Sequence, residues 1–339
     1  MNDIRRIAYP VLCQKIAAAL ADAGVPAEMA WLEAQVMCEA DLLGVPSHGV
    51  RMLPGLLAAI QRGRVTVAPQ VRFLREFAAT SLLDGDNGPG RATACRAMDD
   101  AVARAHQFGI GACLALNTTH WGRAHAYAYR AARQGMVGLC CTNAMPTMSG
   151  WGATTKVLGN NPLAIALPRA ERDAPLVLDM AMSQAAVGKI ATYLRDGLPI
   201  PQGWGLNDKG QPSTDAKAIL GGAVLPFGGH KGAGLSLMIE LLTAALSGGA
   251  LGNEIRSGDS SGIDPQSSKL FIALNPEAFG GLETMTRRVT DYLSYLAAAA
   301  PPFTWPGERG WEARNTNLIQ GVPLHREIVE QLQAVGVLL

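Results

Sequence analysis

The 339-residue chain is poor in aromatic and charged residues and carries almost no net charge. Aromatic residues make up 6% and charged residues 17% of the sequence, whereas hydrophobic residues make up 48%. This balance is the opposite of the one that disordered chains show, so a packed globular protein is expected. The formal net charge of +1 lacks the basic excess that nucleic-acid binding requires, and we therefore expect no nucleic-acid partner.

The six cysteines form no C-x-x-C pair, and no long apolar run is present. A zinc ribbon, a thioredoxin-type redox pair and a secreted disulfide framework are therefore disfavoured, and no metal site is predicted. The N-terminal stretch has no continuous apolar segment, and the run from Leu235 to Leu246 is interrupted by Glu240. We expect no signal peptide and no membrane span, and we predict a cytoplasmic protein with reduced thiols.

The common nucleotide and metalloprotease signatures are also missing. The sequence contains no G-x-G-x-x-G, no Walker A motif and no H-E-x-x-H. A bound dinucleotide would therefore require a scaffold other than the usual dinucleotide fingerprint.

Hydrophobic periodicity and the positions of Gly and Pro predict three N-terminal helices followed by an α/β region with a buried sheet. The three helices are predicted at 9–23, 26–43 and 47–63, with Ser47 as the N-cap of the third. Further helices are predicted at 91–108, 122–134, 181–194, 231–246, 282–297 and 325–337. Strands are predicted within 71–83 and at 112–116, 137–142, 157–158, 163–167, 176–178 and 270–274, and a mobile Gly/Ser-rich loop at 252–268.

The first candidate site is the segment S-H-G-V-R at 47–51. On a helix, His48 and Arg51 are one turn apart and share a face. A neutral imidazole is an acid/base group near pH 7, and a guanidinium binds a carboxylate through two hydrogen bonds. The alternative is a capped helix start with solvated side chains, and the spacing alone favours this alternative.

Three further segments carry candidate residues. N-T-T-H-W-G-R at 117–123 places His120 where a strand leads into a helix, and a catalytic and a structural interpretation have equal weight. Asp179, at the end of an apolar strand, is either an N-cap or the acceptor that orients a histidine. In L-P-F-G-G-H-K-G at 225–232, Lys231 at a helix start after two glycines indicates a phosphate-binding loop, although such turns are common.

Together these segments resemble the type-2 malate/lactate dehydrogenase family. That family also contains ureidoglycolate and sulfolactate dehydrogenases, 2,3-diketo-L-gulonate reductase and the Δ1-piperideine-2-carboxylate/Δ1-pyrroline-2-carboxylate reductases. The resemblance covers nearly the whole chain. Besides the four candidate segments it includes L-G-N-N-P-L-A-I-A-L-P at 158–168, L-D-M-A-M-S-Q-A-A-V-G-K at 178–189, I-P-Q-G-W-G at 200–205, F-I-A-L-N-P-E-A-F-G-G at 271–281 and P-G-E-R at 306–309.

The resemblance implies an NAD(P)-dependent dehydrogenase or reductase that forms a homodimer. It implies an α/β fold with a non-Rossmann NAD(P)-binding domain, which has a mixed, largely antiparallel sheet, and a helical domain formed by both chain ends. The domains implied are a helical domain (1–50 and 300–339), a small substrate-side domain (51–111 and 275–299) and the NAD(P)-binding domain (112–274).

The resemblance also implies roles for individual residues. His48 would be the proton donor, oriented or polarised by Ser47 and Asp179, and His120 is the alternative acid/base. The substrate would be held by Arg51, Asn143 and Asn160. The residues implied to bind NAD(P)H are Asp179, Met180, Ala181, Met182, Ser183, His230, Lys231, Gly307, Glu308 and Arg309.

Two departures from the family pattern bear on the substrate. Asn160 stands where the family usually has Thr, and Ala144 where it usually has Ser, so polar contacts in the pocket are altered. The H-W-x-R turn at 120–123 and W-G-A at 151–153 resemble the diketogulonate reductases, whereas 225–232 is closer to the cyclic imino acid reductases. Three interpretations follow: a small 2-oxo or 2-hydroxy acid as substrate, a cyclic imine carboxylate as substrate, or cofactor binding without turnover. The intact His48, Asp179 and Lys231 argue against the third, and NAD and NADP are both compatible with the sequence.

Overall fold

The computed structural model describes residues 4–171, 174–255 and 265–339. In this part of the chain the strands are β1 (Ile4–Ile7), β2 (Arg72–Phe77), β3 (Thr80–Asp84), β4 (Ile110–Thr118), β5 (Val137–Thr142), β6 (Met148–Ser149), β7 (Lys156–Leu158), β8 (Leu163–Leu167), β9 (Leu176–Met180), β10 (Gly205–Leu206), β11 (Pro212–Ser213), β12 (Ala223–Val224), β13 (Ser267–Leu274) and β14 (Val322–His325). The helices are α1 (Tyr9–Asp22), α2 (Ala27–Leu42), α3 (Leu53–Gln61), α4 (Gly90–Phe108), α5 (His125–Arg133), α6 (Val187–Arg195), α7 (Ala216–Gly221), α8 (His230–Glu240), α9 (Leu282–Ala299), α10 (Glu308–Gln320) and α11 (Arg326–Ala334).

A seven-stranded sheet forms the centre, in the order β2-β3-β4-β13-β5-β8-β9. Its neighbouring strands are antiparallel, apart from β3 and β4, which are parallel. Strand β13 comes late in the chain yet lies between β4 and β5, so its residues reach the middle of the sheet. The predicted mixed α/β fold is confirmed, and the non-Rossmann character of a cofactor domain stays a prediction.

Small residues let two helices lie directly on this sheet. A Cβ on Gly111 of β4 would come within 2.0 Å of the Ala101 carbonyl oxygen of α4. A Cβ on Gly138 of β5 would come within 2.6 Å of the Ala128 carbonyl oxygen of α5. The abundance of Gly and Ala in the sequence is therefore used in part for close packing of helix backbones on strand backbones.

The first and last segments of the chain share a second hydrophobic core. Helices α1, α2, α3 and α11 contribute its buried side chains, and β1 pairs with β14 beside it. A smaller sheet, in the order β11-β10-β12-β6-β7, lies with α6 and α7 around a third cluster. The division of the chain into a helical, a substrate-side and an NAD(P)-binding domain stays a prediction.

Three predicted helix starts are wrong, and each error falls at a candidate site. The third helix begins at Leu53 rather than 47, because short 3-10 turns occupy Pro46–His48 and Val50–Met52. Helix α5 begins at His125 rather than 122, and α6 begins at Val187 rather than 181. His48, His120 and the segment 181–186 therefore lie outside the α-helices.

The predicted loop at 252–268 is described only in part. Residues 256–264 lie outside the described residues, and Ser267 and Ser268 belong to β13. The predicted helix at 231–246 corresponds to α8 and a π-helical turn at Leu241–Ala245. Within 4–171, 174–255 and 265–339, no helix has the length and apolar character needed to cross a membrane.

Candidate active site

His48 and His120 face each other across a cleft of about 390 Å³. Their ring centroids are 6.1 Å apart and the ring planes differ by 20°. The hydroxyl oxygen of Thr147, also on the cleft wall, is buried and has no hydrogen-bond partner among the described residues. The cleft thus combines two titratable rings with an unsatisfied polar atom, which is the composition of a ligand site. Other residues lining it are Ser47, Met52, Trp121, Thr142, Asn143, Ala144, Asn160 and Lys269.

The turn that carries His48 is held in place by a buried carboxylate. Asp41 of α2 accepts a hydrogen bond from the Val50 backbone N–H at 2.7 Å. A Cβ on Gly49 would lie 2.1 Å from an Asp41 carboxylate oxygen, so only glycine allows this approach. Burial raises the pKa of the Asp41 carboxyl to about 7. Ser47 does not cap a helix; its hydroxyl instead lies 2.9 Å from Nδ1 of His48.

His120 is fixed by the backbone that follows it. The Gly122 N–H donates to Nδ1 of His120 at 3.1 Å. Because an N–H can only donate, Nδ1 carries no hydrogen, and in the neutral ring the hydrogen lies on Nε2. The neighbouring Trp121 is 2% exposed and stacks on Tyr127 with centroids 5.0 Å apart, so the core anchors this turn.

Burial and nearby cations keep both rings neutral near pH 7. Burial, Arg123, Arg91 and Arg51 lower the pKa of His48 to about 4. Burial, with Arg91, His48 and Lys269, lowers the pKa of His120 well below its usual value. The charged side chains acting on the rings are thus basic, and the cleft favours an anionic ligand.

Asp179 makes its ion pair with Arg123. Its Oδ2 lies 3.0 Å from both Nε and a terminal nitrogen of Arg123. No hydrogen bond between Asp179 and His48 occurs in the described part of the chain. The predicted influence of Asp179 on His48 would therefore have to act through Arg123, whose positive charge lowers the pKa of His48.

The three residues predicted to bind substrate occupy different environments. Arg51 is exposed on the second 3-10 turn and does not line the cleft, because the extended backbone of Gly49 between the two turns breaks the helical spacing of His48 and Arg51. Asn160 lies on the cleft wall, and its carbonyl accepts the Met182 N–H at 2.8 Å.

The side-chain amide of Asn143 is hydrogen-bonded to other groups of the protein. Its amide nitrogen donates to Glu240 and to the Ala250 carbonyl, both at 2.9 Å, and its amide oxygen accepts the Ser268 N–H at 2.7 Å. The Glu240 carboxylate also accepts hydrogen bonds from the side-chain amide of Asn161 and from the Gly252 N–H. This network holds the cleft wall in shape.

The predicted cofactor segment 179–183 packs against the loop that leads to His230 and Lys231. The Phe227 N–H donates to the Met182 carbonyl at 3.0 Å, and Ser183 forms an isolated antiparallel β-bridge with Pro226. Met182 and Ser183 are buried, whereas Met180 and Ala181 are half-buried. His230 and Lys231 are exposed in the first turn of α8, after two glycines with positive φ. The rings of His230 and Trp151 form a T-shaped pair with centroids 5.5 Å apart.

The third cofactor segment lies beside a groove of about 890 Å³. Gly307 and Arg309 line this groove with Arg123 and Asp179. The Pro306 carbonyl accepts the Val177 N–H at 3.1 Å, which ties the segment to β9. Glu308 instead accepts the Trp305 N–H and begins α10. The groove and the cleft adjoin at the turn carrying His120 and Arg123.

Lys269 is a cleft residue that the sequence did not single out. It is 1% exposed on β13, and its Nζ donates to the Thr118 hydroxyl and, at 2.8 Å, to the Ser267 hydroxyl. The predicted strand began at 270, which left Lys269 outside it, next to the predicted loop. A lysine directly before an apolar strand was the available signal.

The chain matches known proteins over almost its full length. The sequence model of the malate/L-lactate dehydrogenase family matches residues 7–333. A malate dehydrogenase of Pyrococcus horikoshii is 36% identical over 92% of this chain and 89% of its own. A Δ1-pyrroline-2-carboxylate/Δ1-piperideine-2-carboxylate reductase of Pseudomonas putida is 35% identical over 86% of this chain and 85% of its own. The solved structure of a sulfolactate dehydrogenase from Methanocaldococcus jannaschii superposes with a TM-score of 0.90 at 33% identity, covering 98% of this chain and 96% of that one.

Proposed function

The chain belongs to the malate/L-lactate dehydrogenase family and is an oxidoreductase, and we propose that it transfers a hydride between NAD(P) and a small 2-oxo or 2-hydroxy acid in the cleft between His48 and His120. The observation that carries the proposal is the pair of neutral imidazoles 6.1 Å apart, in a cleft that Lys269 lines and with the positive charges of nearby arginines acting on both rings. The cations favour a carboxylate substrate, and the imidazoles supply a proton acceptor and a hydrogen-bond donor.

The residues of the groove and of 226–232 fit a dinucleotide. The exposed Lys231 and the first turn of α8 provide a cation and backbone N–H groups for phosphate. Arg309, exposed beside the groove, is a second cation for the same ligand. When bound, the nicotinamide supplies or accepts the hydride. We assign NAD(P) binding to the segments 179–183, 230–231 and 307–309, in which Glu308 stabilises the start of α10. Assays with each cofactor distinguish NAD from NADP.

His48 is the proposed proton-exchanging group. In the free chain it is neutral at pH 7, so it is ready to accept the hydroxyl proton when a 2-hydroxy acid is oxidised. In the reductive direction, the substrate carboxylate adds a negative charge that favours the protonated ring. The proton then passes to the substrate oxygen, where negative charge develops. Ser47, 2.9 Å from Nδ1, holds the ring in both charge states because a hydroxyl both donates and accepts.

The remaining predicted residues orient the substrate. Arg51, on the turn next to His48, is proposed to reach the substrate carboxylate with its exposed guanidinium. Asn160, which lines the cleft, is proposed to contact the substrate as well. We assign Asn143 to positioning, because its amide groups are already hydrogen-bonded within the protein. Asp179 acts through Arg123.

The second candidate is reduction of a cyclic imine carboxylate. It is favoured by the Pseudomonas putida relative, whose name includes two such substrates. The cleft chemistry is the same in both cases, because an imine nitrogen also needs a proton when hydride reaches the neighbouring carbon. Consumption of NADH and of NADPH with pyruvate, diketogulonate and Δ1-pyrroline-2-carboxylate separates the candidates. Cofactor binding without turnover of any of the three would support the non-catalytic alternative.

We also propose a cytoplasmic homodimer. Helix α8, the π-helical turn and the residue that follows it expose large apolar side chains: Leu235, Leu237, Met238, Leu241, Leu242 and Leu246. An apolar face of this extent supports association with a second copy, and closed twofold pairs are the commonest assemblies. A dimer mass by light scattering at micromolar concentration is expected, and a monomer mass would contradict the proposal. We also propose the division into a helical, a substrate-side and an NAD(P)-binding domain.

A further inference from the structure

We propose that Lys269 is a positioning residue that keeps His120 as a neutral hydrogen-bond donor through Nε2 and so leaves proton exchange to His48. The inference rests on the proposed function for its catalytic meaning. The state of His120, however, is a property of the free chain and is measurable without substrate.

The cradle around Lys269 is built to hold an ammonium group. The Thr118 hydroxyl donates to the Ser267 carbonyl at 2.7 Å, and the Ser267 hydroxyl donates to the Thr118 carbonyl at 3.2 Å. Both hydroxyl hydrogens are therefore used, and the two oxygens present lone pairs. The Nζ of Lys269 donates to both oxygens. Two acceptors without a hydrogen to offer favour the charged amine over the neutral one.

The pairing of β13 with β4 places this charge beside His120. Ser267 is opposite Thr118, two residues before His120, so the cradle lies where β4 leads into the histidine turn. The Lys269 Nζ is 5.8 Å from the centre of the Trp121 ring, and Lys269 and His120 line the same cleft. A second positive charge on the His120 ring would be repelled by the Lys269 ammonium group.

Other charged groups face His120 from the neighbouring elements. Arg91 of α4 also acts on the ring, and Glu33 of α2 forms an ion pair with Arg91 at 3.2 Å. His48 faces the ring from the 3-10 turn. Burial and the positive charges of Arg91 and Lys269, together with His48 once it is protonated, lower the pKa of His120 well below its usual value.

The hydrogen bonds at the two Nδ1 atoms separate the roles of the rings. Protonation of His120 would put a hydrogen on Nδ1, opposite the Gly122 N–H, so that two donors would face each other. His48 has a hydroxyl at the same position, which accepts from the protonated ring and donates to the neutral one. His48 therefore passes between charge states without losing a hydrogen bond, whereas His120 does not.

Histidine ring NMR on the free full-length chain tests the inference. In the wild type, we expect the His120 ring to stay neutral, with hydrogen on Nε2, at pH values well below the ordinary histidine pKa. In Lys269→Gln we expect its pKa to rise, since one nearby positive charge is removed. Lys269→Arg, which keeps the charge, is the matched control, and the exposed His106 and His325 are internal references.

Two results would overturn the inference. One is a His120 pKa near the ordinary histidine value in the wild-type protein, a measurement for which no variant is needed. The other is an unchanged His120 pKa in a folded Lys269→Gln protein. Turnover gives a separate readout: the acid limb of the kcat profile should move to higher pH in Lys269→Gln and stay in place in Lys269→Arg. A shifted His120 pKa without turnover of any tested substrate would contradict the proposed function and leave the positioning of His120 standing.

Discussion

Arg123 and Asp179 form an ion pair in which two guanidinium nitrogens lie 3.0 Å from a single carboxylate oxygen. The pair lines the groove, and Arg123 is three residues beyond His120, at the border of the cleft. Both side chains are largely buried, at 17% and 15% exposed, so their charges are only partly screened by water. The pair therefore couples the groove electrostatically to His48.

Asp179→Asn should lower the pKa of His48 further. Without its carboxylate partner, the Arg123 charge acts on His48 uncompensated and disfavours the imidazolium. Reductive kcat should fall, and the limb of its pH profile that reports His48 should move to lower pH. Asp99→Asn, which breaks the ion pair of Arg130 outside the cleft, is the matched control. Equal profiles for the wild type and Asp179→Asn would rule out this coupling.

Asp41 should make the free energy of unfolding decrease as pH rises from about 4 to about 7. Its pKa is raised to about 7 in the folded state, so the folded chain holds a proton that the unfolded chain has lost. Each unit of pKa difference corresponds to about 1.4 kcal/mol. In Asp41→Asn this part of the decrease should disappear, because the amide oxygen still accepts the Val50 N–H without titrating. Urea unfolding at pH 4.5 and 7 measures it; an identical decrease in both proteins would contradict the assignment.

Lys231→Ala should weaken NAD(P)H binding by roughly 1.5–3 kcal/mol, the value of a charge-assisted contact to phosphate. Fluorescence titration of the cofactor measures its Kd. Lys217→Ala, an exposed lysine in the first turn of α7, is the control and should leave the Kd unchanged. An unchanged Kd in Lys231→Ala would remove the phosphate-binding role from this loop.

Glu240→Ala should destabilise the fold by about 2–4 kcal/mol, because three buried donors lose their acceptor. These donors are the side chains of Asn143 and Asn161 and the Gly252 N–H, at 2.9, 3.0 and 2.7 Å. Glu240→Gln should also be destabilising, since the amide hydrogens must face a donor. Urea unfolding with the exposed Glu283→Ala as control measures the loss. An unchanged free energy of unfolding in Glu240→Ala would show that the network does not hold the cleft wall.

The sequence predicted the elements better than the geometry of the site. The strands Val137–Thr142 and Leu163–Leu167 were predicted residue for residue, because apolar runs bounded by turn residues have a local cause. The turn carrying His48 was predicted as a helix, since its shape depends on the contact of Gly49 with Asp41, eight residues earlier.

Lys269 was missed for a similar reason. Its position in the cleft follows from the pairing of β13 with β4, which joins Ser267 to Thr118 across 149 residues. Local periodicity carries no information on such a pairing. The two histidines, by contrast, were singled out as candidates from residue type and position, although the spacing alone favoured a structural role for His48 and the acid/base roles came from the family resemblance. The structure brings both to one cleft.

Replacement of His48 tests the central claim most directly. Steady-state NAD(P)H oxidation with the best substrate of the panel should show a kcat about 10²–10⁴-fold lower in His48→Ala than in the wild type, the usual contribution of a positioned acid/base. The cofactor Kd should stay unchanged, because His48 lies in the cleft and not in the groove or the 226–232 loop. A His48→Ala protein that keeps its kcat, while His120→Ala loses turnover, would show that His120 exchanges the proton and would contradict the assignment of that role to His48.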